Sequence, residues 1–255
     1  MGDDELRRFA HPDIDSTAIL LNRASAAIAN MAFIWHVRLS NGQVVEHRFA
    51  PGTNPSVLLP FGPQGSSAKF RDFWNTILPG SKRLLMPDGC VLGDNTDVRP
   101  PAEDELSRGG FIRWGVANGP MDEDLDPVKL TLDGVFFVDG GFAGPNRLRS
   151  WDQTVFAAEA HLACAALARQ VRAKDLPAPE FFAQVQIMTG QTAKESMPPP
   201  PFWGNESLGR EAIRAYQQRM IGLEVFNHRQ SLGDEAALDR IDAWNNAPVP
   251  HFHKR

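Results

Sequence analysis

Apolar positions recur at two different spacings along this chain, and the spacing changes near residue 150. Residues Ala32–Leu39 (AFIWHVRL) and Gln43–Phe49 (QVVEHRF) alternate apolar with polar, and Asn41-Gly42 stands between them. Alternation predicts half-buried strands, and Asn-Gly supplies the positive φ angles of a type I′ turn, so a β-hairpin is expected with its turn at those two residues. A second hairpin is predicted from Lys82–Met86 and Cys90–Leu92 around Pro87-Asp88-Gly89. Phe111–Ala117 and Val128–Val138 read as further strands, the latter turning at Asp139-Gly140-Gly141.

Two stretches before residue 150 carry helical spacing. Ile19, Leu20, Ala24, Ala27, Ile28 and Met31 fall on one face of a helix over 13–31, with Asp15 or Ser16 as cap. Phe70, Phe73, Trp74 and Ile77 form an aromatic stripe stopped by Pro79-Gly80. Beyond Ser150 the period of 3.6 takes over. Helices are predicted from Ser150 to about Arg172, over Pro177–Met188, from Ser207 to about His228 and over Asp234–Trp244. The four prolines Pro198–Pro201 exclude helix and central strand.

Strands followed by helices, rather than alternating with them, predict an α+β protein. The expected layout is an N-terminal helical segment (1–31), an antiparallel β-sandwich-like domain (32–149) and a C-terminal helical region (150–255) with a polyproline linker at 197–202. The stretch Val128–Asn146 carries the sharpest local signature: an apolar strand, Phe137-Val138-Asp139-Gly140-Gly141-Phe142-Ala143-Gly144-Pro145, then a helix. It resembles a group of uncharacterised bacterial proteins with a β-sandwich-like region and a Phe-x-Asp-Gly-x-Phe-x-Gly-Pro signature. The resemblance implies that fold and no activity.

Composition narrows the function classes. The 255 residues are 42% hydrophobic and 22% charged, with net charge −5. That is globular, and an acidic balance argues against a nucleic-acid binder or electrostatic docking to an acidic membrane. Cys90 and Cys164 are too few for a disulfide scaffold, which favours a reducing, cytoplasmic setting. No apolar run reaches membrane-spanning length, and the opening residues lack an apolar signal core.

Candidate chemistry is thin. Asp88, Asp94, Asn95 and Asp97 lie within ten residues and could offer a cation hard oxygen ligands, but the EF-hand spacing is absent and the same residues are the usual choice for turns. His251 and His253 alternate, yet no further ligand is near in sequence. Cys164 reads as a buried small hydrophobe, and Gly-x-Ser-x-Gly is missing. Gly140, Gly141, Arg147, Arg149 and Ser150 join a strand to a helix and could cradle an anion, with Ser150 as helix cap, although neither nucleotide fingerprint is met. A nearby carboxylate such as Asp152 would satisfy the same arginines. No cofactor is expected. The favoured reading is an interaction or assembly protein, self-associating through helices such as Ser207–His228, rather than an enzyme. Ligand binding at Gly140–Ser150 and a metal-dependent hydrolase on Asp88, Asp94 and Asp97 are the alternatives.

Overall fold

The computed structural model describes residues 18–49, 77–85, 91–93, 126–191, 209–246 and 251–255. The fold is α+β, with most strands before the helices and a last strand, His253–Lys254, after them. Two compact units divide it: a β unit of the described residues up to Leu148 together with 252–255, and a helical unit from Arg149 to His251.

The β unit holds β1 (Ala18–Leu21), β2 (Ile28–Arg38), β3 (Val44–Phe49), β4 (Lys82–Leu85), β5 (Val91–Gly93), β6 (Asp126–Phe137), β7 (Gly141–Ala143) and β8 (His253–Lys254). One sheet runs β1-β4-β5 and the other β3-β2-β6-β7-β8. Both predicted hairpins are present, β2 with β3 and β4 with β5. The unit is not wholly antiparallel, because β8 pairs with β7 in parallel.

The first hairpin closes differently from the expected two-residue turn. Gly42 has φ 82 and Asn41 does not share a positive φ. Gly42 N–H donates to Leu39 O at 2.8 Å, and Leu39 N–H donates to Gln43 O at 2.8 Å. The loop is therefore three residues long, a turn over Ser40 and Asn41 followed by a glycine bulge. The Asn41 side chain accepts from Gln43 N–H at 2.8 Å and holds that shape.

The helical segment predicted for 1–31 is not helical where it is described. Residues 18–21 are strand and β2 begins at Ile28. Asn22 explains the change: buried, it donates to Ala26 O at 3.0 Å and Ile77 O at 2.8 Å, and accepts from Ala24 N–H at 3.0 Å. That turn competes with helix, and the flanking apolar residues go to sheets. Ile28, Met31, Phe33, Trp35, Val37, Ile77, Leu85, Val135 and Phe137 form the core of the unit.

The helical unit holds α1 (Ser150–Ala173), α2 (Ala178–Thr189), α3 (Arg210–Leu232) and α4 (Asp234–Asp242), then a 3₁₀ turn at Ala243–Asn246. The buried face of α1 is largely alanine (Ala157, Ala160, Ala165, Ala168), which lets neighbours approach closely. Phe181 and Phe182 of α2 pack edge to face at 5.0 Å, and Phe182 meets Phe226 of α3 at 6.2 Å. Gly222 permits the approach of α2 to α3, since a Cβ there would strike the Thr189 side chain.

Candidate functional site

The segment predicted to cradle an anion is divided between the units. Gly140, Gly141 and Arg147 belong to the β unit, and Arg149 and Ser150 to the helical unit.

In the β unit the segment starts as the β6–β7 turn. Gly140 adopts φ 84 and donates to Phe137 O at 2.9 Å, while Gly141 N–H donates to Asp139 Oδ1 at 2.9 Å. That amide is the main reason the Asp139 carboxyl lies below its ordinary range; slight burial opposes it, and the charges of Arg255 and His253 add to it. Four residues on, Gly144 takes φ 133 and passes so close to the Asp133 carbonyl and the Gly134 backbone that no side chain fits. Asn146 turns left-handed at φ 62 and its N–H donates to Asp133 O at 3.0 Å.

These bends bring two consecutive amides onto one carboxylate. Arg147 N–H donates to Asp133 Oδ1 and Leu148 N–H to Asp133 Oδ2, each at 2.8 Å, and Asp133 is fully buried. Two successive amides converging on one carboxylate make a small anion-holding concavity. The anion it holds is the protein's own Asp133. Asp133 and Gly134 lie inside strand β6, within the run the sequence marks as a strand.

Both arginines also have carboxylate partners. Arg147 Nη2 lies 3.3 Å from Glu46 Oε1, and Arg48 approaches Glu46 Oε2 at 2.9 Å. Partial burial would raise the Glu46 pKa, but hydrogen bonds from Arg48 and Arg147, and their charges, lower it. In the helical unit Arg149 pairs with Asp152 at 3.4 Å, and Arg210 reaches the other Asp152 oxygen at 3.0 Å. Asp152 is the partner the sequence suggested.

Ser150 does not cap α1. The cap position is Arg149, left-handed at φ 58, and no side chain closes the helix end. Ser150 is instead the first helical residue. Its hydroxyl and that of Thr154 are buried without a hydrogen-bond partner among the described residues.

Asp88, Asp94, Asn95, Asp97 and Cys90 lie outside the described residues. Among those that are described, no group of three or more His, Cys, Asp or Glu is placed to hold a metal ion. His36 and His47 do not oppose each other: His36 pairs in register with Glu46, and His47 with Trp35. His36 Nε2 lies 3.2 Å from Thr131 Oγ1.

A polar cluster inside the helical unit was not foreseen. The buried His161 of α1 donates from Nδ1 to Ala157 O at 2.9 Å and presents Nε2 to Glu224 Oε2 at 3.2 Å. His228, one turn beyond Glu224 on α3, approaches Glu224 Oε1 at 3.8 Å. The Trp244 ring lies 4.9 Å from His161 and 6.4 Å from His228. Burial raises the Glu224 pKa, but hydrogen bonds and charge from both imidazoles outweigh it and hold the group at about 2. Cys164, buried one turn from His161, is pushed up to about 12 by burial and then by the Glu224 charge, so its thiol is a packing group rather than a nucleophile. The Glu224-x-x-x-His228 spacing is a legible signal, but nothing in the sequence pairs it with His161.

No helix among the described residues is long and apolar enough to cross a membrane. No family model, no curated protein and no solved structure matches the chain.

Proposed function

We propose that this chain is an assembly protein that associates with a second copy of itself through its helical unit. The observation that carries the reading is the outer face of α2. Phe181, Phe182 and Val185 are buried on one side of that helix, while Pro179, Ala183 and Ile187 are exposed on the other, with Leu176 exposed just before it. Ile187 is 84% exposed. Glu180, Gln184 and Gln186 border the stripe, and the stripe itself carries no charge.

An amphipathic helix on a lone domain turns polar residues outward. Here an apolar row lies on the outside, a feature characteristic of a contact surface. An uncharged row of this kind is complementary to itself, which favours a two-fold pairing of like helices over capture of a charged partner. The twelve residues of α2 span about 18 Å, so the contact is short and the expected association is in the micromolar range. The contact is placed on α2 rather than on α3, the helix that the sequence points to over Ser207–His228. That helix packs against α1, α2 and α4, which cover Ile213, Ile221 and Val225.

Light scattering on the full chain at micromolar concentration tests the proposal. A dimer is expected, and Ile187→Asp is expected to give a monomer that unfolds at the same temperature. A wild-type chain that stays monomeric up to several hundred micromolar overturns it.

We infer further that the two sheets of the β unit face each other as a sandwich-like pair. The clustering of Leu85, Ala18 and Leu20 with Phe33, Trp35 and Val37 supports this arrangement. Cytoplasmic residence is the companion proposal, supported by sparse cysteine and the free buried thiol of Cys164. Ligand binding at Gly140–Ser150 has weaker support, because Asp133 occupies the two amides a ligand would need.

A further inference from the structure

The β6–β7 hairpin contains a seat for a guanidinium group. The Arg255 guanidinium lies 4.3 Å from the Phe137 ring centroid and is ion-paired to Asp139. It rests over Gly141, where a Cβ would run into it. Ring face, carboxylate and a gap left by glycine are the three elements that recognise a planar cation. The backbone on either side pairs as well: His253 N–H donates to Gly140 O at 3.2 Å and Arg255 N–H donates to Phe142 O at 2.8 Å. Residues 252–255 thus add to the β7 edge as a bound extended segment, with an arginine as its specificity element.

We propose that this edge is a strand-docking site and that its occupant in assembled protein is the 252–255 segment of a second copy. Several features make the segment exchangeable. Its pairing is two residues long and parallel, and His253, Lys254 and Arg255 are exposed. A pairing two residues long, on a segment whose own residues are exposed, opens at low free-energy cost. Every copy offers the same seat and the same segment, so exchange restores each bond that opening breaks. A displaced segment would leave the β7 edge uncovered, and a uniform edge invites a matching strand. The inference shares with the preceding reading only the premise that copies meet, and does not involve the stripe on α2.

Cross-linking between two differently labelled copies tests it. Val138→Cys and Lys254→Cys are placed in separate full-length chains, each carrying Cys90→Ser, mixed at micromolar concentration and treated with a short bismaleimide. Exchange predicts a covalent heterodimer, reduced about tenfold when the Val138→Cys chain also carries Gly141→Val or the Lys254→Cys chain carries Arg255→Ala, as loss of a charge-assisted bond and a cation–π contact implies. A chain carrying both cysteines serves as the control for reach. The proposal is overturned if that chain cross-links only within itself and the mixture gives no heterodimer. It is equally overturned if the heterodimer forms undiminished with Gly141→Val and Arg255→Ala. Cross-linking that persists between chains carrying Ile187→Asp supports the exchange independently of the contact on α2.

Discussion

The two units hold an acidic side chain by opposite means. In the β unit, Asp133 is fully buried and its oxygens are met by the backbone amides of Arg147 and Leu148. In the helical unit, Glu224 is half-buried and is met by two imidazoles, His161 and His228. A backbone amide has no second protonation state, and its position depends on the path of the chain. Each imidazole is placed by the packing of its helix. The first arrangement fixes a loop, and the second ties α1 to α3.

Removing Asp133 should have the largest effect. Asp133→Ala leaves two part-buried amides without their acceptor and frees the loop from Gly144 to Leu148, so a loss of about 2–4 kcal/mol is expected in urea unfolding. Asp133→Asn keeps one carbonyl oxygen and should lose about half as much. If Asp133→Ala cost less than about 1 kcal/mol, the carboxylate would not be what holds the loop, and the contrast between the units would collapse.

Glu224 offers the next largest effect, visible through pH. Its folded value of about 2 lies below the ordinary 4.5. A depressed value means that the charged form is favoured by folding. The contribution is therefore fully present above about pH 4.5 and is lost as the pH falls through 2. Allowing for the exposed edge of the side chain, it amounts to about 1–2 kcal/mol. Glu224→Gln should remove that acid-sensitive limb from a plot of stability against pH, while Asp133→Asn leaves it in place. Near-ultraviolet signals from Trp244, which touches both imidazoles, would follow the loosening. An unchanged acid limb in Glu224→Gln would assign it to other carboxylates.

The strands were legible where alternation was strong, as in β2 with β3, or where a turn signal joined neighbours in sequence, as in β4 with β5. The helices after Ser150 were legible from their period alone. What failed was decided at a distance. Ile19, Leu20, Ala24 and Ile28 have helical spacing, but the Asn22 side chain bonds to Ile77 O across 55 residues and fixes a turn between two strands. The sharp bends after β6 were legible from the glycines at the strand-to-helix junction. That they close on Asp133 was not, because Asp133 lies within an apolar strand and its role depends on Gly144 and Asn146 adopting positive φ. His161 was missed for a similar reason: its partner is 63 residues away on another helix.

Arg147→Ala should have the smallest effect and sharpens the comparison most. The position contributes twice, through its backbone amide to Asp133 and through its side chain to Glu46. Only the second contribution is lost on truncation. The side-chain pair is exposed, and Glu46 keeps Arg48 at 2.9 Å, so the expected cost is no more than about 0.5 kcal/mol. High salt should shrink even that difference, because exposed pairs are screened. Set beside Asp133→Ala, the result would show that the loop is held by chain path and amides rather than by the arginine that marks it in the sequence. A cost above about 2 kcal/mol would reverse that order and make the Glu46–Arg147 contact the structural tie of this corner of the β unit.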